Sequence, residues 1–303
     1  MGKNIIRTIL LVFFAVLCTS CYGQTIIRVS PNGNDGYDGS TWASAKKTVQ
    51  AGVDAAYNNG GGEIWVAAGT YNEHITLKAN CSLYGGFVGT EDTRSQRNFN
   101  INKSILDGSS NGDVVNANGI SSAACIDGFT IRNNSNFYGG NFYNGIYCLS
   151  ASPTIANNTI SGNLYGIYSY KSDSIITNNK ISGNSNGIYS YQSNSTIISN
   201  TIYNNGSIGI YCYYSSSAIT NNTITANYQG VSCSSSDSVI SHNIVAFNTK
   251  GISNNSGVPI LSHNCVYGNF TNYSGVNAGS TDISEDPLLE NWQYGKLHIQ
   301  PGS

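Results

Sequence analysis

The feature that most constrains this chain is a short pattern that recurs at a nearly constant spacing. Between Gly145 and Asn269, a glycine followed by a β-branched residue appears six times, at steps of 21 or 22 residues. The six occurrences are Gly145-Ile146, Gly166-Ile167, Gly187-Ile188, Gly209-Ile210, Gly230-Val231 and Gly251-Ile252. A period that constant indicates one structural unit stacked on copies of itself.

Alignment of the copies shows that three positions in each repeat are apolar and mostly β-branched. Each position lies in a short extended stretch, and β-branched residues favour strands. Three such positions predict three short parallel strands per coil, with successive coils about 4.8 Å apart. The three sets are Ile146/Ile167/Ile188/Ile210/Val231/Ile252, Ile155/Ile176/Ile197/Ile219/Ile240/Leu261 and Ile160/Ile181/Ile202/Ile224/Val245/Val266.

Asparagine and serine also recur with the same period, and we expect them at the corners of the coil. Asparagine tolerates the left-handed backbone of a tight corner, and its amide can bond its counterpart in the next coil. The asparagine sets are Asn158/Asn179/Asn200/Asn222/Asn243/Asn264 and Asn134/Asn163/Asn184/Asn205/Asn227/Asn248/Asn269. The serine sets are Ser172/Ser193/Ser215/Ser236 and Ser174/Ser195/Ser217/Ser238.

Composition limits the possible partners. Charged residues make up 10% of the 303 residues, and the formal net charge is −2. Globular domains average about 25% charged residues, so this surface must be built from Ser, Asn, Thr and Tyr. Because there is no basic stripe, we do not expect nucleic acid as a partner.

The N-terminus carries an export signal. Lys3 and Arg7 precede an apolar run from Ile9 to Leu17, which is too short to span a bilayer and suits a cleaved signal peptide. Cleavage after Gly23 would release a secreted protein, whereas cleavage before Cys21 would leave a lipid anchor at that cysteine. No later segment is long and apolar enough for a transmembrane segment, so we expect a secreted or cell-surface protein, with an outer-membrane lipoprotein as the alternative.

After the signal peptide, residues 1–23, we expect three regions. Residues 24–62 form a first strand and a helix from Ser44 to Tyr57, which covers the open edge of the first coil. Residues 63–290 form the coils. Residues 291–303 form a C-terminal tail, which we read as truncated.

Six cysteines lie beyond the signal peptide: Cys81, Cys125, Cys148, Cys212, Cys233 and Cys265. An even count in an exported protein suggests disulfides. Most of these cysteines, however, stand where an apolar residue is expected, which favours small buried side chains. Cys212 and Cys233, one repeat apart, are the pair for which a disulfide stays open.

Several motifs together resemble a known family. Ile64-Trp65-Val66, Gly69-Thr70-Tyr71, the segment Tyr84–Glu91 and the segment Asp127–Ile131 accompany repeated Asn-Asn-x-Ile and Gly-Ile-Tyr coils. Together with the export signal, they resemble the secreted right-handed parallel β-helix proteins of pectin-lyase-like architecture, over about residues 25–303. The resemblance implies an all-β, single right-handed parallel β-helix (a β-solenoid) of about ten coils, with an N-terminal capping helix. It does not imply one activity, because such proteins include lyases, hydrolases and esterases.

Few residues could support catalysis. The segment Gly89–Lys103 is the most charged part of the mature chain, and its acids and arginines could gather a catalytic set together with Asp107 and Asp113; alternatively it is a surface loop held by its own ion pairs. His242 and His263 stand one coil apart. They could form a metal-binding or acid/base pair, or they could simply replace asparagine at a corner of the coil. The coils themselves carry no paired acids.

Tyrosines form the most suggestive feature. If Ile167 points inward, alternation turns Tyr168 outward, Ser169 inward and Tyr170 outward. The same spacing in neighbouring coils predicts one surface, here called the Tyr face, made of Tyr147, Tyr168, Tyr170, Tyr189, Tyr191, Tyr211 and Tyr213. Rings with hydroxyl groups suit the apolar faces of sugars, although tyrosine stacking could instead serve only the sheet.

These observations favour an exported, non-catalytic β-helix protein that binds polysaccharide or a cell-surface glycan through the Tyr face. They require no metal and no cofactor. Two alternatives remain open at this stage: a polysaccharide lyase or hydrolase that uses the charged segment, and a structural or adhesive spacer without a ligand.

Overall fold

The structure is a computed structural model that describes residues 25–120, 123–133 and 143–290. The predicted signal peptide 1–23 with Cys21, the predicted tail 291–303 and Asn134 lie outside the described residues.

The chain winds through three parallel sheets in turn, one strand per sheet in each coil. Sheet A contains β1 (Thr25–Val29), β2 (Gly62–Ala67), β5 (Cys81–Phe87), β8 (Cys125–Asp127), β11 (Thr154–Ala156), β14 (Ile175–Thr177), β17 (Thr196–Ile198), β20 (Ala218–Thr220), β23 (Val239–Ser241) and β26 (Ile260–Ser262). Sheet B contains β3 (Gly69–Asn72), β6 (Ser104–Asp107), β9 (Phe129–Arg132), β12 (Thr159–Ser161), β15 (Lys180–Ser182), β18 (Thr201–Tyr203), β21 (Thr223–Thr225), β24 (Ile244–Ala246) and β27 (Cys265–Tyr267). Sheet C contains β4 (Ile75–Thr76), β7 (Val115–Asn118), β10 (Ile146–Leu149), β13 (Tyr165–Tyr170), β16 (Asn186–Tyr191), β19 (Ile208–Tyr213), β22 (Gln229–Ser234), β25 (Lys250–Asn254) and β28 (Thr271–Ser274).

The register of the sheets confirms the predicted apolar sets. Ile167 pairs with Ile188 in sheet C, Ile176 with Ile197 in sheet A, and Ile181 with Ile202 in sheet B. All six side chains are fully buried. The core is therefore a column of stacked isoleucines and valines enclosed by the three sheets.

The corner between sheets A and B shows how the asparagines work. The Asn200 side-chain oxygen accepts hydrogen bonds from the backbone N–H (2.9 Å) and the amide (3.0 Å) of Asn179, one coil earlier. Its own amide donates to the carbonyl oxygen of Ile176 at 2.8 Å and to Asn222 at 3.0 Å. The predicted stacking of amides between coils is confirmed.

The predicted backbone role of these asparagines is wrong. The left-handed residue at each corner is the one before the buried asparagine, as at Ser199 (φ 58°) before Asn200. Asn204 (φ 52°) plays the same part before Asn205 at the corner between sheets B and C. The buried asparagine therefore supplies hydrogen bonds, and its exposed predecessor makes the turn.

One α-helix, α1 (Val49–Asn58), closes the first coil. It begins at Val49, not at the predicted Ser44, because the Asp35 carboxylate accepts hydrogen bonds from the backbone N–H groups of Lys47 and Thr48. The Thr48 side chain caps the helix by accepting from the Ala51 N–H. The buried face of α1 packs against β1 and β2, as expected for a cap over the first edge.

The last coils are covered by the segment 276–290. The Ile283 N–H donates to the carbonyl oxygen of Asn264 at 2.8 Å, and Leu289 is buried. The Asp282 carboxylate accepts hydrogen bonds from both the backbone N–H and the side-chain amide of Asn264. It thereby takes the place that the next asparagine would have in the stack.

None of the six cysteines among the described residues forms a disulfide bond. Cys81, Cys148, Cys212 and Cys233 are buried, as predicted, whereas Cys125 and Cys265 are half-buried. Cys212 and Cys233 are register partners in β19 and β22 but carry no disulfide. In the part of the chain described, no helix is long and apolar enough to cross a membrane.

Candidate functional site

The Tyr face lies on the outer surface of sheet C. In β13, Ile167 and Ser169 are buried, and Tyr168 and Tyr170 point outward as half-buried side chains. The strands β10, β16 and β19 follow the same alternation. The predicted inward and outward positions are therefore confirmed, and the structure brings all seven predicted tyrosines together on one surface.

The tyrosine rings contact one another along the coil axis in two rows, the first with tilted rings and the second with stacked rings. In the first row, the ring centroids of Tyr147 and Tyr168 are 5.4 Å apart, those of Tyr168 and Tyr189 are 5.0 Å apart, and those of Tyr189 and Tyr211 are 5.1 Å apart. In the second row, Tyr191 lies 5.0 Å from Tyr170 and 5.2 Å from Tyr213, with nearly parallel planes. The rows touch where Tyr189 meets Tyr191 at 6.2 Å. The Tyr face is one continuous aromatic surface.

Two further tyrosines extend this surface and were missed. Tyr165 lies 5.2 Å from both Tyr168 and Tyr189. Alternation from Ile167 would turn Tyr165 inward, but Gly166 and Ile167 are both buried, so the alternation breaks at the glycine. Tyr214 follows β19 with a left-handed backbone (φ 49°), and its ring centroid lies 4.5 Å from that of Tyr213 with the two planes tilted by 47°.

Three phenol groups in and beside the Tyr face have a raised pKa. Burial raises the pKa of Tyr165, Tyr168 and Tyr189, and neighbouring phenols raise all three further. Since an unperturbed tyrosine already has a pKa of about 10, these groups do not serve as bases near neutrality. The four strands of the face contain no charged residue. The surface offers mainly ring faces and hydroxyl groups, with the Lys171 ammonium 5.2 Å from the Tyr170 ring centroid at its border.

The charged segment Gly89–Lys103 folds onto sheet A, and the expectation that it holds itself by its own ion pairs is wrong. Arg94 pairs with Glu63 at 2.7 Å, and Arg97 pairs with Asp127 at 2.8 Å, so both bridges reach strands of the coil. The buried Glu91 carboxylate instead accepts hydrogen bonds from three backbone N–H groups, those of Val88, Gly89 and Thr90.

The acids that might have joined a catalytic set have other partners. Asp107 pairs with Arg132 at 2.8 Å in sheet B. The Asp113 carboxylate accepts from the Asn144 N–H at 2.7 Å, beside sheet C. Each acid is therefore occupied by its own local partner.

His242 and His263 lie at the corner between sheets A and B. Their rings stack with centroids 4.9 Å apart and planes 5° from parallel, and both backbones are left-handed. This is the corner position that Asn178 and Asn221 occupy in other coils. No group of three or more His, Cys, Asp or Glu side chains among the described residues could hold a metal ion.

Comparisons with known proteins agree with this architecture. A family model described as "Right handed beta helix region" matches residues 93–233 and 144–286. A search of curated protein sequences finds no match.

Two solved structures share the fold. A pectate lyase, Pel9A, is 14% identical with a TM-score of 0.57, over 85% of this chain and 72% of its own. A pectin methylesterase from Aspergillus niger is 17% identical with a TM-score of 0.53, over 92% of this chain and 95% of its own. These similarities confirm the predicted right-handed parallel β-helix of pectin-lyase-like type. At such identities they concern the fold and assign no activity.

Proposed function

This chain belongs to the family of right-handed β-helix proteins, and we propose that it is an exported member that binds polysaccharide through the Tyr face, without catalysis. The observation that carries the proposal is the continuous set of contacting rings on sheet C, with the ring centroids of neighbours along each row 5.0–5.4 Å apart. Contiguous apolar surface of this kind is typical of binding sites.

The chemistry of the Tyr face favours a sugar polymer as its ligand. Each ring combines a flat apolar surface with a hydroxyl group, which matches the apolar faces and hydroxyl groups of pyranose rings. Because the rows run along the coil axis, a ligand that follows them can contact several rings at once. A single sugar would contact only a small part of this surface.

Two features support a binding role rather than a catalytic one. The strands of the Tyr face carry no acid, base or arginine. Burial raises the pKa of Tyr189, which keeps that phenol protonated in the middle of the face. General acid–base catalysis needs groups whose pKa lies near the working pH.

Binding can be tested by retention on insoluble cellulose, chitin and curdlan. The double substitution Tyr189→Ser/Tyr211→Ser should weaken retention about tenfold or more, because each lost aromatic contact contributes about 0.5–1.5 kcal/mol. Serine is the appropriate replacement, since Ser232 stands in register with Tyr211 in the next coil. The fold of the coil therefore accommodates serine at this position.

A matched control separates the Tyr face from tyrosines in general. Tyr37→Ala/Tyr57→Ala removes two half-exposed rings, 50% and 49% accessible, which lie outside sheet C. This control should bind as the wild type does. Equal retention of both variants and the wild type would rule out the Tyr face as the binding surface, and unsaturated product released from uronate polymers would contradict a non-catalytic role.

Export is proposed from the predicted signal peptide alone. Mass spectrometry of the protein recovered from producing cells should show cleavage after Gly23 in the culture fluid, or a lipid-modified Cys21 in the membrane fraction. An uncleaved N-terminus inside the cell would contradict the proposal.

A further inference from the structure

A second surface of the molecule, on the outer face of sheet A, also has the features of a binding site. Where the charged segment Gly89–Lys103 ends against the outer face of sheet A, it leaves a groove of about 540 Å³. Arg94, Arg97 and Tyr84 line one part of it, and the small outward residues Thr154 and Thr177 are among those that line the rest. Volumes of this size are typical of ligand sites.

The groove continues around the corner towards sheet B. A neighbouring recess of about 140 Å³ is lined by Phe99, Lys103 and Lys180. Asn157 and Asn178 line both cavities, so the two are adjoining parts of one depression. We call this depression the basic groove, after Arg94, Arg97, Lys103 and Lys180.

The basic groove concentrates positive charge in a chain that has little charge elsewhere. Four of the 14 Lys and Arg residues line it, although the chain as a whole has a net charge of −2. The lining contains one carboxylate, Asp127, which is paired with Arg97. Glu63 pairs with Arg94. Two positive charges thus remain in excess, those of Lys103 and Lys180.

The cations of the groove have unused capacity for hydrogen bonding. The Arg94 side chain is 41% exposed and makes one hydrogen bond within the described structure, to Glu63, whereas a guanidinium has five N–H donors. The exposed Lys180 ammonium lies 5.2 Å from the Tyr203 ring centroid. The Lys103 ammonium donates to the Phe99 carbonyl oxygen, which leaves two of its three donors for a ligand.

We propose that the basic groove binds a glycan that carries oxyanion groups, either carboxylate or sulfate. Arginine and lysine donors recognise such groups through charge-assisted hydrogen bonds. The hydroxyl groups of Ser82, Ser152 and Thr154 in the lining can bond sugar hydroxyls. This site is independent of the neutral Tyr face, and the groove and the Tyr face select opposite kinds of polymer.

The test compares three polymers with one backbone: dextran, carboxymethyl dextran and dextran sulfate. The wild-type protein should bind at least one of the two anionic polymers and not dextran through this groove, with affinity that falls as salt is raised. The tighter binder of the two anionic polymers, carboxymethyl dextran or dextran sulfate, shows whether the groove prefers carboxylate or sulfate groups. The double substitution Lys103→Gln/Lys180→Gln should weaken that binding about tenfold, which is the scale expected for two partly exposed ion pairs.

The control variant Lys47→Gln/Lys171→Gln removes the same charge at two exposed positions outside the groove. It should retain wild-type affinity, and circular dichroism should show both variants folded. Three results would overturn the proposal: no binding to either anionic polymer, equal binding of the Tyr189→Ser/Tyr211→Ser variant to neutral dextran, or equal losses in the two double lysine variants. The Tyr189→Ser/Tyr211→Ser variant should bind the anionic polymer normally, so a failure of the Tyr face would be distinguishable.

Discussion

At the scale of single residues, each corner of the coil that carries a buried asparagine relies on two neighbouring residues. The first adopts the left-handed backbone conformation, and the second, the buried asparagine, makes the hydrogen bonds. The left-handed position accepts very different side chains, from the exposed Asn204 to the half-buried Ala226 and Phe247. The buried position that follows keeps asparagine in coil after coil, because its amide is the hydrogen-bonding partner of two coils at once. Stability at a corner therefore depends on the buried asparagine.

This division predicts different outcomes for two asparagine substitutions. Asn200→Ala removes an amide that bonds Asn179, Ile176 and Asn222, and it leaves buried groups without partners. It should lower the free energy of unfolding by about 2–4 kcal/mol. Asn204→Ala changes an exposed position whose counterpart in the next coil is Ala226, and it should cost less than about 1 kcal/mol.

Urea unfolding followed by circular dichroism measures both substitutions. The midpoint is the quantity to compare, since repeat arrays can depart from two-state behaviour. Equal shifts for the two variants would contradict the assignment of the hydrogen bonds to the buried position.

At the scale of the strand, the repeated glycine explains how sheet C begins in each coil. A Cβ atom built on Gly187 would lie 2.4 Å from the carbonyl oxygen of Gly209 and 3.0 Å from the Ile202 side chain. The glycines at this position let the backbones of successive coils approach each other. The same close approach breaks the alternation before Ile167 and turns Tyr165 outward.

A methyl group at this position should therefore be poorly tolerated. We expect Gly187→Ala to lower the free energy of unfolding by about 2 kcal/mol, because the chain must move apart to admit the new atom. Gly206→Ala is the matched control, since the nearest atom to its added Cβ would be 3.8 Å away. Thermal unfolding of the two variants decides the point, and a control that is as unstable as Gly187→Ala would contradict the packing argument.

The strands and the helix differ in how well they could be predicted from the sequence. The strands were predictable because each coil repeats the residue types of the coil before it. Ile167, Ile176 and Ile181 each belong to a set of equivalent residues whose side chains all point into the core. The start of α1 was not predictable from the sequence. It depends on Asp35, which lies in a loop and accepts hydrogen bonds from the backbone N–H groups of Lys47 and Thr48. Tyr165 was missed for a related reason, since strict alternation ignores the packing of Gly166.

The ion pairs were equally hidden from the sequence. Arg94 and Glu63 are 31 residues apart, and nothing in the repeat period relates a loop to a strand of an earlier coil. The high content of charged residues identified the segment Gly89–Lys103 as unusual. Only the three-dimensional structure shows that this segment borders a groove.

At the scale of the whole molecule, the β-helix separates two surfaces with different chemistry. Sheet C presents contacting tyrosine rings, and sheet A with its corner presents four cations. The coil between them is filled by buried isoleucine, serine and asparagine. In this account the repeats form a rigid scaffold, and function depends on what each face carries outward.

The central claim, that the Tyr face binds polysaccharide, is tested most directly by chemical labelling of tyrosines. Wild-type protein would be treated with N-acetylimidazole alone and with the polysaccharide that it retains best, and the modified residues would be identified by mass spectrometry. Bound polymer should protect Tyr168, Tyr189 and Tyr211 and leave Tyr37 and Tyr57 as reactive as before. Equal labelling of the Tyr face with and without bound polymer would contradict the account.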